Sequence, residues 1–382
     1  MTTLRSAAAS APGKLFIAGE YAVTVGGHWA LIAAVNRYVR VTAQQFVPTG
    51  QDSPRDPQIH SDLAGAELTT WHRDAAGTPS ARDGAASGYV LGAIAAVEAL
   101  AWARGLDPLH YDLHISSDLT ATIAGAQVKI GLGSSAAVTA ATVRAVARLY
   151  DLNLTDDAVL KLALLATHAQ NKHGSGGDVA AAVYGGWIKY SSPRWPEVAE
   201  LLEQLDETFG PQQLLAQRWP GLSVTPLHVH EGFDLLVGWT GSPADTAAKL
   251  SQLDAQNPDN WPDTAQGQDL LTVSDKQVHA LAEALEHGDY SGAITALDRA
   301  RQGLLRFAVG QKIDYETPKL TALAQAAIAR GAGAKASGAG GGDCGIALLT
   351  PSVNRQAVID SWTELGAVHV ELQVAYREEK WG

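Results

Sequence analysis

A single cysteine, Cys344, stands in a chain of 382 residues. It excludes an intrachain disulfide and a cysteine-based zinc cluster, and it fits a reducing, cytoplasmic compartment. Cations are scarce too. Lysine and arginine number 28 against 40 aspartates and glutamates, a formal net charge of -12. That balance argues against a general nucleic-acid or membrane-surface binder. No uninterrupted apolar run reaches 18 residues, so no membrane span is expected. The opening "MTTLRSAAASAPGK" has no long apolar core and does not read as a signal peptide. Internal repeats and heptads are missing, as is the G-x-x-x-x-G-K-[ST] loop of P-loop nucleotidases.

What is plentiful is glycine, 38 residues that fall in clusters. Hydrophobic residues make up 46%, enough for a large core and about two domains. Strand and helix signals mix in both halves without a regular βαβα rhythm, which points to two α+β domains. The proline-rich stretch 192–230 is the expected junction, dividing the chain into 1–200 and 201–382. Residues 11–46 read as strands broken at Gly26-Gly27, and 47–87 as a polar excursion with short strands. "YVLGAIAAVEALAWARG" has a helical period. "YDLHISSDL" and "ATIAGAQVK" alternate like a hairpin. Thr155 is placed to cap a helix whose first turn holds Asp156 and Asp157. "VAAAVYGGWIKYSS" reads as helix, turn and strand, and "FDLLVGWTG" as a strand. Residues 244–331 look mostly helical, before a final strand, helix and closing strand.

The stretch "KIGLGSSAAVTAATVRAV" carries the strongest local chemistry. Gly131 and Gly133 permit backbone angles closed to other residues. Beyond them Val138, Ala141, Thr142, Ala145, Val146 and Leu149 recur at helical spacing. The first N–H groups of a helix lack internal partners and carry partial positive charge, so this junction suits a phosphate. Ser134 and Ser135 add hydroxyls able to cap the helix, bind phosphate oxygens or reach a hydrated Mg²⁺. A plain serine cap behind turning glycines is the alternative. "GLGSSA" also fits a loose dinucleotide fingerprint, but it lies mid-chain and gives the serine pair no role. The few cations Lys14, Lys129, Lys172, Lys189, Arg194 and Lys335 lie in or beside glycine-rich segments, as an acidic protein that handles phosphate requires.

Four segments, "SAPGKLFIAGEYAV", "KIGLGSSAAV", "HGSGGDVAAAVYGG" and "GAKASGAGGGDCGIALL", together resemble the GHMP kinase superfamily. The first, second and fourth match its three motifs in order, and the third matches the region of its acidic residue. The likeness runs from Ala11 to Val374. Within the superfamily, "GSGGDVAAAVYGGWIKY", "VGWTGSPADTAAKL" and "KASGAGGGDCGIAL" are similar to the bacterial phosphomevalonate kinase family. The resemblance implies an N-terminal domain like ribosomal protein S5 and a ferredoxin-like C-terminal domain, with the active site between them. It implies ATP and Mg²⁺, and phosphomevalonate as acceptor. Mevalonate kinase, another small-molecule kinase of the superfamily and a non-catalytic binding protein of this fold are the alternatives. The last would be expected to have lost a motif. Oligomeric state, including a homodimer, is left open.

The resemblance also assigns roles. Gly131, Leu132, Gly133, Ser134, Ser135 and Ala136, with Lys129, would hold the ATP phosphates, and Ser135 would reach the metal ion. Lys14 would neutralise charge between donor and acceptor phosphates. Asp178 occupies the superfamily's acidic position. Ser337, Gly338, Ala339, Gly340 and Gly341 would face the acceptor or the transferred phosphate, helped by Lys189 and Ser242. Relatives carry a glutamate on the helix before the aspartate. Here that region reads "ATHAQNKHG" and has no acid. The ion is therefore expected to rest on Ser135, ATP phosphates and water.

Overall fold

The computed structural model describes residues 4–48, 55–63, 67–82, 88–123, 126–205, 210–243, 249, 253 and 260–376. Its first element is a long antiparallel pair, β1 (Ser6–Ala18) and β2 (Trp29–Gln45). Alternation in "KLFI" decides which face each residue takes. Leu15 and Ile17 are buried in the core, while Lys14 and Phe16 point the other way, into a cleft. Three short strands follow in the polar excursion: β3 (Gln58–Ser61), β4 (Glu67–Arg73) and β5 (Pro79–Ala81).

The expected hairpin forms differently. β6 (Tyr111–Ser117) pairs with β2 and, in parallel, with β3. "ATIAGAQVK" supplies most of a hairpin of its own, β7 (Thr120–Ile123) with β8 (Ala126–Lys129). Both stretches alternate, but alternation says only that a residue run is half-buried, not which strand it meets. After β9 (Trp187–Ser191), β10 (Ser223–Leu227) completes the sheet, in the order β10-β9-β2-β6-β3-β4-β5 with β1 on β2. The N-terminal sheet thus takes in residues beyond position 200.

Four helices lie with this sheet: α1 (Gly88–Ala103), α2 (Ser134–Leu149), α3 (Asp156–Gln170) and α4 (Gly177–Tyr184). α2 packs on β1 and β2 and is buried along almost its whole length. Small residues allow this close seat. Thr155 caps α3, accepting from the Ala158 N–H at 3.2 Å. Two short helices, α5 (Trp195–Glu203) and α6 (Pro211–Ala216), fill the proline-rich stretch.

β11 (Asp234–Trp239) opens the second sheet. The helices α7 (Ala265–His287), α8 (Tyr290–Gly310) and α9 (Pro318–Ile328) lead to β12 (Gly333–Ala336) and β13 (Cys344–Leu349). Then come α10 (Arg355–Glu364) and β14 (Val368–Val370). The order β12-β13-β11-β14 with every pair antiparallel is the ferredoxin-like arrangement. The chain is therefore a two-domain α+β fold. Its closing stretch returns to the first sheet, where Ala375 N–H donates to Ala34 O at 2.9 Å. No helix among the described residues is long and apolar enough to cross a membrane.

Candidate active site

A cleft of about 570 Å³ opens where β1, the start of α2, the start of α4 and the loop between β12 and β13 meet. Its first wall is the junction ahead of α2. Gly133 caps that helix at φ +81°, a left-handed angle that suits glycine, and it brings no side chain to the helix end. Ser134 is the first helical residue and not the cap. The earliest backward bond of the helix runs from Ala137 N–H to Gly133 O at 3.1 Å. The amides of Ser134, Ser135 and Ala136 thus precede the helical ladder and have no partner in it. Gly131, Gly133, Ser134 and Ser135 line the cleft, with Lys129 beside them. Leu132 and Ala136, also expected at the phosphates, are buried and do not line the cleft.

Lys14 crosses to this wall. Its own N–H donates to Leu132 O at 2.9 Å, and its Nζ donates to Gly131 O at 3.3 Å. The ammonium lies 5.3 Å from the Phe16 ring centre. A methyl group built on Gly133 would sit 3.1 Å from Lys14 Cε and 3.7 Å from Asp178 Cβ. The glycine is therefore the surface on which both side chains converge. Asp178 stands in the first turn of α4, where its Oδ1 accepts from Val179 N–H at 3.0 Å. Gly176 and Gly177 make this seat tight: a Cβ would come within 2.2 Å of Leu164 and 2.6 Å of Ile32. Burial first, and the Asp178 charge second, push the Tyr89 hydroxyl above its ordinary range.

The third glycine loop closes the cleft unevenly. Gly338 and Ala339 line it, and nothing lies within 4 Å of a Cβ built on Gly338. Ser337, Gly340 and Gly341 serve the loop's frame instead. Ser337 Oγ donates to Phe16 O at 2.9 Å, and Gly341 N–H donates to Tyr315 O at 2.7 Å. Gly340 packs so closely that a Cβ would stand 2.1 Å from Tyr315 O. Asp343, at φ +52°, brings its carboxylate against Gly131.

Two expected acceptor contacts lie elsewhere. Lys189 sits over the Trp29 ring at 5.3 Å, with its Nζ 3.4 Å from His279 Nδ1, and does not line the cleft. Ser242 is outside the lining too, and its carbonyl accepts from Asp343 N–H at 2.7 Å. Conversely Glu20, Tyr21, Thr24, Tyr89, Asn171, Gly174 and Ser175 line the cleft without having been singled out. Glu20 and Tyr21 stood inside the first quoted segment, and Gly174 and Ser175 inside the third. Tyr89 had no local signal. Cys344 is buried, its Sγ donates to Ile130 O at 3.4 Å, and burial pushes the thiol up to about 12. It is a packed thiol and not a nucleophile.

Chemically, open helix amides, two serine hydroxyls and two lysines suit a run of phosphates. The Gly338–Ala339 backbone lines the same cleft and is open to a second ligand, with Lys14 at the helix wall. This is an arrangement for phosphoryl transfer by positioning and charge.

The family model for the GHMP kinases N-terminal domain matches residues 88–186, and that for the GHMP kinases C-terminal domain matches 281–368. The chain is 40% identical to the phosphomevalonate kinase of Streptomyces sp. (strain CL190), covering 98% of this chain and 99% of that one. It is 29% identical to the mevalonate kinase of Thermococcus gammatolerans, over 89% of this chain and 88% of that one. The solved structure of Streptococcus pneumoniae phosphomevalonate kinase, in complex with phosphomevalonate and AMPPNP, is similar with a TM-score of 0.78 at 27% identity. That likeness covers 96% of this chain and 99% of the other. With both domain models matched in order and a relative this similar over its full length, the chain belongs to the GHMP kinase family.

Proposed function

We infer that the chain is a phosphomevalonate kinase. It transfers the γ-phosphoryl group of ATP to the phosphate of (R)-5-phosphomevalonate, giving ADP and (R)-5-diphosphomevalonate for isoprenoid precursor synthesis. The observation that carries this reading is the 40% identity over essentially both full chains, set beside 29% to a mevalonate kinase. The geometry supports it: Lys14, at the amide-rich helix start, shares one cleft with the Gly338–Ala339 backbone.

In this reading the Ser134–Ala136 amides and the serine hydroxyls hold the ATP phosphates, and Lys129 adds charge at the rim. Lys14 stabilises the negative charge shared by the γ-phosphoryl group and its two flanking oxygens. The acceptor is itself a phosphate. Its second pKa is about 6, so near neutrality it is already mostly a dianion. An oxygen of that dianion attacks the γ-phosphorus, the bond to the β-phosphate bridging oxygen breaks, and ADP leaves with the electron pair. No proton must be removed first. Asp178 therefore orients neighbouring groups and does not serve as a base.

Magnesium takes oxygen ligands and keeps several waters. Ser135 Oγ and the Asp178 carboxylate belong to the same cleft lining, so the donor chemistry suits the ion. No cluster of three or more His, Cys, Asp or Glu side chains able to hold a metal occurs among the described residues. Ser135, ATP oxygens and water would then hold the ion. When bound, the ion would neutralise phosphate charge. Tyr89, at the start of α1, faces the nucleotide side of the cleft in this reading.

An assay of ADP release with phosphomevalonate and, separately, mevalonate tests the proposal. Turnover is expected with the first and little with the second. Comparable kcat/KM on mevalonate would replace the reading with mevalonate kinase. ATP binding without turnover on either would leave another kinase of the superfamily or a non-catalytic binding protein.

A further inference from the structure

The turn after β1 and the third glycine loop are joined by a series of contacts that phosphate binding does not explain. Lys335, on β12, is fully buried and forms an ion pair with Glu20, itself 3% exposed. The same Glu20 oxygen accepts from Gly338 N–H at 3.3 Å. One residue back, Ser337 Oγ donates to Phe16 O at 2.9 Å. One residue on, Tyr21 OH donates to Ala339 O at 2.8 Å. Lys335 at the end of β12 and loop residues 337, 338 and 339 are thus tied to residues 16, 20 and 21 of the opposite domain.

The pair is costly where it stands. Burying two charges is offset only by good geometry, and an apolar pair of similar size is often as stable. The other Glu20 oxygen is buried with no hydrogen-bond partner among the described residues. Tyr21 adds strain, since it holds φ +60°, a left-handed angle unusual for a bulky side chain. Stability alone does not account for such a set beside a cleft. Position does. Gly338 has a left-handed backbone with no neighbour within 4 Å of where a side chain would be, and its amide donates to Glu20.

We propose that Glu20 and Lys335 are positioning residues: a buried ionic strut, with Tyr21, that sets the Gly338–Ala339 backbone against Lys14 across the domain boundary. The acceptor side of the reaction depends on the strut, whereas the ATP phosphates rest on the separate Ser134–Ala136 wall. This rests on the phosphoryl-transfer reading given above.

The test uses the full-length chain. Lys335→Met alone leaves Glu20 buried and unpaired and endangers folding. The main variants are therefore Glu20→Gln/Lys335→Met, which removes both charges, and Tyr21→Phe, which removes one hydrogen bond. Each is first checked for native circular dichroism. For the double variant kcat should fall about 10- to 100-fold, the size expected when reacting groups lose alignment. Its ATP dissociation constant, measured with a fluorescent ATP analogue, should stay within about twofold. Tyr21→Phe should move in the same direction by less. Hydrogen exchange by mass spectrometry should rise over 337–343 and not over 131–137. A folded double variant with wild-type kcat and unchanged loop exchange overturns the strut. So does a loss of ATP affinity as large as the loss of kcat. If the wild-type enzyme turns over no phosphomevalonate, the functional reading fails instead, while loop exchange still tests the strut.

Discussion

Among single residues, the two serines before α2 are chemically alike and differently placed. Ser134 opens the helix and Ser135 follows, and both line the cleft. In the proposed reading only the second reaches the metal ion. Ser135→Ala is therefore expected to lower kcat/KM for ATP by about tenfold or more, with a raised Mg²⁺ requirement. Ser134→Ala should cost distinctly less. Titrating Mg²⁺ for both variants decides it, and equal losses would remove the metal role from Ser135. Lys14 and Asp178 form a second contrast. Lys14→Met should cost on the order of 10²-fold or more in kcat, a charge-stabilisation loss of the usual size. Asp178→Asn should cost less, because a dianionic acceptor needs no base. Measured at pH 7.5 on folded variants, a deader Asp178→Asn would overturn the base-free mechanism. Lys14, Ser135 and Asp178, which the motif resemblance singled out, do meet in one cleft. Lys189 and Ser242 do not line it. A lysine on a strand gives no sign of which neighbours flank it, and Lys189 lies against Trp29 and His279. Lys335 was noticed but its partner was not, since Glu20 lies 315 positions away.

Glycine loops, at the scale of the element, look uniform in sequence and are not uniform in space. "SGAGGGD" gives no hint that Gly338 stands in the open while Gly340 is wedged against backbone. Both have left-handed angles, φ +80° and +70°. An alanine at either position bears a conformational cost of about 1–2 kcal/mol. Only at Gly340 is there a collision as well, 2.1 Å from the Tyr315 carbonyl oxygen, which cannot swing away like a side chain. Gly340→Ala should therefore lower Tm much more than Gly338→Ala. Thermal melts of the two purified variants measure this, and equal shifts would mean that the loop moves freely as a unit. Other elements were readable for a simpler reason. The Thr155 cap and the glycine turn before β9 are local signals. The pairing of β6 with β2 and β3, and of β10 with β9, depends on partners distant in sequence. Alternation and proline content are silent about such partners.

The molecule as a whole has two main sheets, and its largest apolar cluster spans both halves. The apolar cluster that fills the N-terminal half extends without a break to Val237, Trp239, Leu281, Ile346 and Leu348 of the C-terminal half. Polar ties cross the same boundary. Asp275 on α7 accepts from the Trp29 N–H at 3.0 Å and meets His28 Nδ1 at 2.9 Å. The closing segment pairs back onto β2, where Val374 bridges to Val35. The buried Glu20–Lys335 pair adds a third link. Chains of this size with separate domains often unfold in steps. A shared core instead makes the loss of one half expose the apolar surface of the other. Heating is therefore expected to give a single calorimetric transition. Ligands of the cleft should move that transition as one, because residues of both halves line it. ATP with Mg²⁺ at about 100 times its dissociation constant stabilises the native state by about 2.7 kcal/mol, a rise of about 2–5 °C in Tm. Two resolved transitions, only one of them shifted by the nucleotide, would mean that the halves melt separately and that the cleft belongs energetically to one of them.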